Sequence, residues 1–259
     1  MPETVLVTGA SSGIGLELAK CFAAEKSNLI LVARSRAALE NLAAEVRQQF
    51  SVKAEVLVAD LTKPETPAEI FNELTKRKIA VDVLVNNAGF GLHGAFAELP
   101  LARQLEIVKV NVSALVELAG LFLPEMLARN RGGVLNVGSV AGFLPGPNMA
   151  VYYASKAFVL SFSEALYEEV RGTAVRVTNL CPGPTESNFS QVARAHHARL
   201  SRARKMAAAE VAQIGVRDFR AGKCLSFPGI KNEMLSTLAP RILPRSVIRQ
   251  LTANYNRLK

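Results

Sequence analysis

Tyr152 and Lys156 stand four residues apart in a stretch that reads as helix from Tyr152 to about Arg171, so their side chains share one face. A phenol is a poor acid or base at neutral pH, but a cation beside it favours the phenolate and lowers its pKa. Lys156 is placed to supply that charge, which makes Tyr152 a candidate for exchanging a proton with a substrate oxygen. Tyr153, three residues from Lys156, points elsewhere on this reading. A hydroxyl such as that of Ser139 can hold the same oxygen. His93 has no acid or nucleophile spaced to partner it and is not read as a base.

A second chemical signal lies near the N-terminus, in Val5-Leu-Val-Thr-Gly-Ala-Ser-Ser-Gly-Ile-Gly15. A short β-branched strand breaks into a glycine turn and then into the helix former Glu17-Leu-Ala-Lys-Cys-Phe-Ala-Ala-Glu25. Strand, turn and helix in that order bring a diphosphate to a helix N-terminus, where free N–H groups and the helix dipole favour an anion. Gly9 lets the turn form, Gly13 lets the backbone approach the ligand, and Gly15 lets helix and strand pack closely. The next strand, Asn28 to Ala33, ends at Arg34 with no carboxylate. An acid at this point binds the ribose 2′-hydroxyl of NAD, whereas an arginine meets the 2′-phosphate of NADP. Arg36 reads as an ordinary first-turn helix residue.

Four motifs occur in order: Thr8-Gly-Ala-Ser-Ser-Gly-Ile-Gly15, Asn86-Asn-Ala-Gly89, Ser139 with Tyr152-x-x-x-Lys156, and Pro182-Gly-Pro-Thr185. Together they make roughly residues 4–190 resemble the short-chain dehydrogenase/reductase family. The spacing of 13 residues between Ser139 and Tyr152 is typical of it. The resemblance implies a catalytic set of Ser139, Tyr152, Lys156 and Asn111, the last ordering a water beside the lysine. For Asn111 a buried hydrogen-bonding role is the plain alternative. It implies NADP(H) as cofactor and no metal. Gly9, Ser11, Ser12, Gly13, Ile14 and Gly15 would hold it at one end and Arg34 at the 2′-phosphate. Asp60 and Leu61 would border the adenine, and Asn87, Ala88 and Gly89 the adenosine ribose, with the Asn side chains also tying strands together. Lys156 would hydrogen-bond the nicotinamide ribose, Thr185 would meet the nicotinamide carboxamide or the diphosphate, and Tyr152, Pro182 and Gly183 would also border the cofactor. Asp60 also has the plain reading of a helix N-cap.

The elements that must position these groups alternate. Strands are expected at Val5, 28–33, 54–59, 81–85, 134–137, 175–180 and 223–227. Helices are expected at 16–25, 36–50, 64–78, 101–129, 152–171 and 207–221. Such alternation implies an α/β, Rossmann-type doubly wound fold with a mainly seven-stranded parallel sheet and helices on both faces. All 259 residues read as a single domain, with a substrate-covering segment at about 187–206 and a helical extension at about 230–259. Nearly half the residues are hydrophobic, yet no uninterrupted apolar run reaches the ~20 residues of a membrane span. Cys21, Cys181 and Cys224 form no CxxC pair and read as reduced core thiols, which with the early first strand suggests a cytoplasmic protein.

The net charge of +9 is uneven, since residues 190–259 hold 14 Lys or Arg against three acids. No nucleic-acid module accompanies this charge. In the extension, Ile230, Met234, Leu235 and Leu238 recur at helical spacing, and Val247, Ile248, Leu251 and Tyr255 repeat the pattern beside Arg245, Arg249 and Arg257. Such stripes pack on their own domain or on a second subunit of a homodimer or homotetramer. The sharper alternatives are a peripheral contact with an anionic membrane or an acyl carrier, or a wall of the substrate entrance. The whole points to NADP(H)-dependent interconversion of a carbonyl and a secondary alcohol on a lipophilic or acyl-type keto substrate. A catalytically silent dinucleotide sensor or scaffold, and a basic peripheral membrane protein with secondary reductase activity, are the competing readings.

Overall fold

A computed structural model describes residues 2–189, 193 and 205–257. Seven parallel strands among them form one sheet: β1 (Thr4–Thr8), β2 (Asn28–Ala33), β3 (Ala54–Val58), β4 (Val83–Asn86), β5 (Gly132–Val137), β6 (Val175–Leu180) and β7 (Leu225–Ser226). Their order is β3-β2-β1-β4-β5-β6-β7, so the chain changes direction across the sheet between β1 and β4. Ligands in such sheets bind at the carboxyl ends of the strands, at this reversal.

Helices cover both faces. On one lie α1 (Gly13–Ala24), α2 (Arg36–Phe50) and α7 (Ala208–Arg220); on the other lie α3 (Thr66–Lys76), α5 (Ala114–Ala128) and α6 (Ala150–Glu169). The strands are apolar at successive positions because both faces are buried. Val5 and Val7 pack with Leu18, Phe22 and Leu42, while Leu6 packs with Leu74, Leu118 and Phe122. Three further helices end the chain: α8 (Ile230–Thr237), α9 (Ala239–Ile242) and α10 (Arg245–Tyr255).

Expected and observed bounds agree residue for residue at β2, α2 and β6. Elsewhere the ends differ. The third helix starts at Thr66 rather than 64, and β7 has two residues, because only Leu225 and Ser226 find partners on β6. The helix expected over 101–129 is interrupted: α4 (Leu101–Val108) passes through a π-turn at Lys109–Ser113 before α5 begins. Taken as one helix, Leu101–Ala128 is long and apolar enough to cross a bilayer, which uninterrupted runs alone did not suggest. Leu118, Phe122 and Met126 spend that apolarity in the core. The three cysteines are free, as expected, and burial pushes their thiols upward.

Phe22 is fully buried edge-on to Phe219, with ring centroids 6.3 Å apart. Phe22→Ala should cost about 3–5 kcal/mol, read as a fall in urea stability. A loss under about 1 kcal/mol would mean that the α1–α7 layer is not the packed core described.

Candidate active site

The reversal between β1 and β4 is held by a polar splice. Thr8 Oγ1 donates to the Val85 carbonyl at 3.2 Å and accepts from the N–H groups of Asn87 and Ala88, both at 3.0 Å. Asn87 Nδ2 donates to the carbonyls of Thr8 (2.8 Å) and Gly9 (3.2 Å). The expected strand-tying role of the asparagines is therefore met here, and again where Asn86 Nδ2 donates to Asn136 Oδ1 at 3.0 Å. Gly9 has φ +66°, and a side chain on it would strike Asn87 and Ala88. Gly15 has ordinary backbone angles, but a Cβ there would run into the Gly9 carbonyl and the Asn87 amide. Only glycines let α1 start this close to β1. At the start of α1, the N-cap residue Ser12 makes no side-chain cap, which leaves the first-turn N–H groups for a ligand.

A cavity of about 810 Å³ opens over this edge. Ser11, Ser12, Gly13 and Ile14 line it at one end, with Arg34, Asp60 and Leu61 beside them. Asn87, Ala88 and Gly89 follow, then Ser139, Tyr152 and Lys156, and then Pro182, Gly183 and Thr185. Two expected site residues stand behind the lining. Gly15 lies under the turn, and Asn111 is buried behind Gly89. Arg34 is exposed at the rim and makes no ion pair among the described residues. Arg36 pairs with Glu40 at 3.7 Å, the ordinary helix role expected of it. Asp60 is not the N-cap of α3. It instead accepts from the Thr62 N–H at 3.1 Å and hydroxyl at 2.9 Å, because α3 begins six residues later. Burial opposes its charge, but the Thr62 contacts and the Arg34 charge outweigh that and hold the carboxyl below its ordinary value.

Ser139 caps a 3₁₀ turn (Val140–Phe143) by accepting from the Ala141 N–H at 3.0 Å, which fixes its hydroxyl against Tyr152. Lys156 is buried, donates to the Val137 carbonyl at 2.7 Å, and lies 6.0 Å from the Tyr152 ring centroid. The lysine was expected to draw the Tyr152 pKa down. It does not do so here. Burial pushes the phenol up to about 12, with the Ser139 hydrogen bond only partly opposing it, and burial brings Lys156 down to about 8. The ammonium is buried and turned to a carbonyl at the end of β5, away from the phenol. At neutral pH the pair is a protonated phenol beside a charged lysine.

Asn111 sits in the π-turn. Its Oδ1 accepts from the Phe90 N–H at 3.1 Å, and its Nδ2 donates to the Phe90 carbonyl and to Ser155 Oγ, both at 3.0 Å. It therefore clamps the loop that carries Gly89 to the helix that carries Lys156.

The far half of the cavity is mainly apolar: Leu144, Met149, Phe189, and from the C-terminal helices Ala239, Leu243, Ile248, Leu251 and Tyr255, with Asn232, Ser236 and Thr252 among them. Most of the expected substrate-covering segment at 187–206 lies outside the described residues. Of its ends, Phe189 packs on Tyr152 with centroids 5.1 Å apart. The extension packs on its own domain and lines the cavity at once. Sequence periodicity found Ile248, Leu251 and Tyr255, but gave no sign of Asn256, which is fully buried and bonded to Tyr153. His93 is buried against the Asn256 carbonyl rather than facing the catalytic group.

Comparison with known proteins places these features in context. A sequence model of short chain dehydrogenases matches residues 3–198. Over 194 residues the chain is 38% identical to a very-long-chain 3-oxoacyl-CoA reductase of Laccaria bicolor, covering 73% of this chain but only 57% of that protein. A short-chain dehydrogenase from Sphingobium yanoikuyae in complex with NADPH superposes with TM-score 0.82 at 33% identity, covering 89% of each chain. A bulky-bulky ketone specific alcohol dehydrogenase from Comamonas testosteroni superposes with TM-score 0.78 at 29% identity, covering 94% of this chain and 99% of that one.

Gly15→Ala should leave the circular dichroism of the fold in place and weaken dinucleotide binding by about tenfold or more, because the first turn of α1 must move off Gly9. Unchanged affinity by titration would show that the turn does not hold the dinucleotide.

Proposed function

The chain belongs to the short-chain dehydrogenase/reductase family, and on that premise we propose that it is an NADP(H)-dependent oxidoreductase that interconverts a bulky, lipophilic ketone and its secondary alcohol. One observation carries the reading: the uncapped N-terminus of α1 and the Ser139, Tyr152 and Lys156 side chains open into the same cavity. The residues present fit the cofactor. The α1 turn would take its diphosphate, Arg34 the 2′-phosphate, and Lys156 the nicotinamide ribose. NADPH, when bound, supplies the hydride that reaches the carbonyl carbon.

The protein supplies geometry and a proton. Ser139 donates to the carbonyl oxygen and fixes it beside Tyr152. The Tyr152 phenol, protonated at neutral pH as any phenol is and pushed further up by burial, donates its proton to that oxygen as negative charge develops there. The Lys156 ammonium acts on the cofactor side, where its charge would hold the nicotinamide ribose beside that oxygen. Asn111 acts on this set by holding the Phe90 loop against Ser155. The mainly apolar far half of the cavity supports a lipophilic substrate, in keeping with the bulky ketones and 3-oxoacyl-CoA named for two similar proteins.

The reductase reading extends to assembly and location. Leu101, Leu105 and Phe158 are exposed on one side of the molecule, and we take that side as the subunit face of a homo-oligomer. Exposed rows at Ile230, Met234 and Leu238 and at Val247, Leu251 and Tyr255, beside Arg245 and Arg249, support a peripheral contact with an anionic bilayer. Salt-sensitive flotation with anionic liposomes checks this contact, and recovery of all the protein in the lipid-free fraction rules it out.

Three measurements check the chemistry. Tyr152→Phe should keep NADPH affinity and lose about 10²–10⁴-fold in turnover on a ketone panel; an equally active variant would favour the silent sensor. Arg34→Ala should erase a preference for NADPH over NADH in kcat/KM, and a parent indifferent to the two would refute the 2′-phosphate assignment. In the reductive direction, activity should fall as pH rises through about 8, where Lys156 loses its charge, while the phenol stays protonated up to about 12. A rate that stays flat to high pH would show that the lysine charge is not required.

A further inference from the structure

We propose that Asn256 sets the preference for bulky ketones, by holding α10 as a roof over the substrate half of the cavity; the inference rests on the reductase reading above. Asn256 follows the last turn of α10 and is fully buried. A residue that merely ends a helix is usually exposed, and Asn is favoured there for its ease in the left-handed conformation. Asn256 has φ −88°, so that ease is not what it provides.

Every polar group of Asn256 is engaged with a different part of the fold. Its Oδ1 accepts from the Tyr153 hydroxyl at 3.3 Å, and its Nδ2 donates to the Pro147 carbonyl at 3.0 Å. Its carbonyl accepts from His93 Nε2 at 2.5 Å. Its N–H closes the helix on Thr252 at 2.9 Å.

The three tertiary partners flank Tyr152. Tyr153 is its neighbour on α6, with ring centroids 6.0 Å apart. Pro147 belongs to the loop that carries Leu144 and Met149 into the cavity. His93 belongs to the loop of Gly91, where a Cβ would lie 3.1 Å from the Tyr152 ring. One side chain thus ties α10 to both loops that border the proton donor. From α10, Ile248, Leu251 and Tyr255 then reach the cavity. A small ketone held by Ser139 and Tyr152 does not need that wall, whereas a bulky one must rest on it. Asn256 lies beyond residues 3–198, so the roof is built outside the stretch that the family shares.

The test uses the full chain loaded with NADPH and two probes, a two-ring aryl ketone and acetone. Binding is followed by NADPH fluorescence, and turnover by NADPH oxidation. Asn256→Ala should weaken the two-ring ketone about tenfold relative to acetone, as loss of buried hydrogen bonds would, and raise its KM more than it lowers kcat. NADPH affinity should hold, and amide exchange should quicken in 245–256 but not in the sheet. Tyr153→Phe should shift the ratio in the same direction and add nothing to Asn256→Ala, since both remove one bond. Equal losses on both ketones, or an unchanged ratio in a variant with loosened α10, would overturn the proposal. Should Asn256→Ala fail to fold, Leu251→Ala, at a half-exposed position, carries the test, and an unchanged ratio there also overturns it. Failure of the reductase reading looks different. The parent would bind both ketones without oxidising NADPH, and the affinity ratio would still decide the role of the roof.

Discussion

The Thr8–Asn87 splice is the constraint on which the site depends. Parallel strands that part in opposite directions leave a gap at their carboxyl ends, and that gap is useful only if the two loops bordering it keep a fixed distance. Thr8 Oγ1 bonds the backbone of Val85, Asn87 and Ala88, while Asn87 Nδ2 bonds the carbonyls of Thr8 and Gly9, and together these bonds set that distance. Gly9 and Gly15 are consequences of the same closeness, since a Cβ at either meets Asn87. The diphosphate turn and the Asn86-Asn-Ala-Gly89 motif are therefore one device. A change in either half would be felt by the other before it was felt by a ligand.

Burial does the remaining work around Tyr152 and Lys156, and it acts in two ways. It pushes the Tyr152 phenol up to about 12 and brings Lys156 down to about 8. It also obliges each buried polar group to find a partner, which is why Asn111, Ser155 and the Phe90 backbone are bonded in a closed set. The π-turn at Lys109–Ser113 supplies the rotation that brings Asn111 there. Such turns interrupt a regular helix at some cost and occur mostly where a side chain must be re-aimed.

What the sequence showed and what it hid differ in physical kind. β2, α2 and β6 were legible to the residue because their signals are local: β-branched runs buried on both faces and a 3.6-residue stripe. Fifteen of the site residues were legible because they lie on four short motifs, and the fourteen of those that line the cavity do so together. The π-turn was hidden, since one extra residue in a turn leaves the apolar pattern of its flanks intact. Asp60 misled as a cap because its partner, Thr62, is too near to belong to a helix. The high pKa of Tyr152 was hidden as well: its cause is burial, and spacing reveals that a lysine is near but neither that burial nor that the ammonium is turned to the Val137 carbonyl.

The two halves of the cavity are built on different terms. The dinucleotide half hangs on strand ends, where ladder hydrogen bonds and the two packed layers leave little freedom. The substrate half is assembled from Phe189, the 144–149 loop and the C-terminal helices, elements that lie on the sheet's rim. Asn256 is instructive here because nothing in its neighbourhood marks it: a polar residue between Tyr255 and Arg257 reads as a surface position. It is buried because the end of the chain returns to Tyr153, 103 residues earlier, and a return of that range leaves no local pattern. Specificity that resides in such contacts can change while the motifs stay the same, which is how one dinucleotide frame comes to serve many ketones.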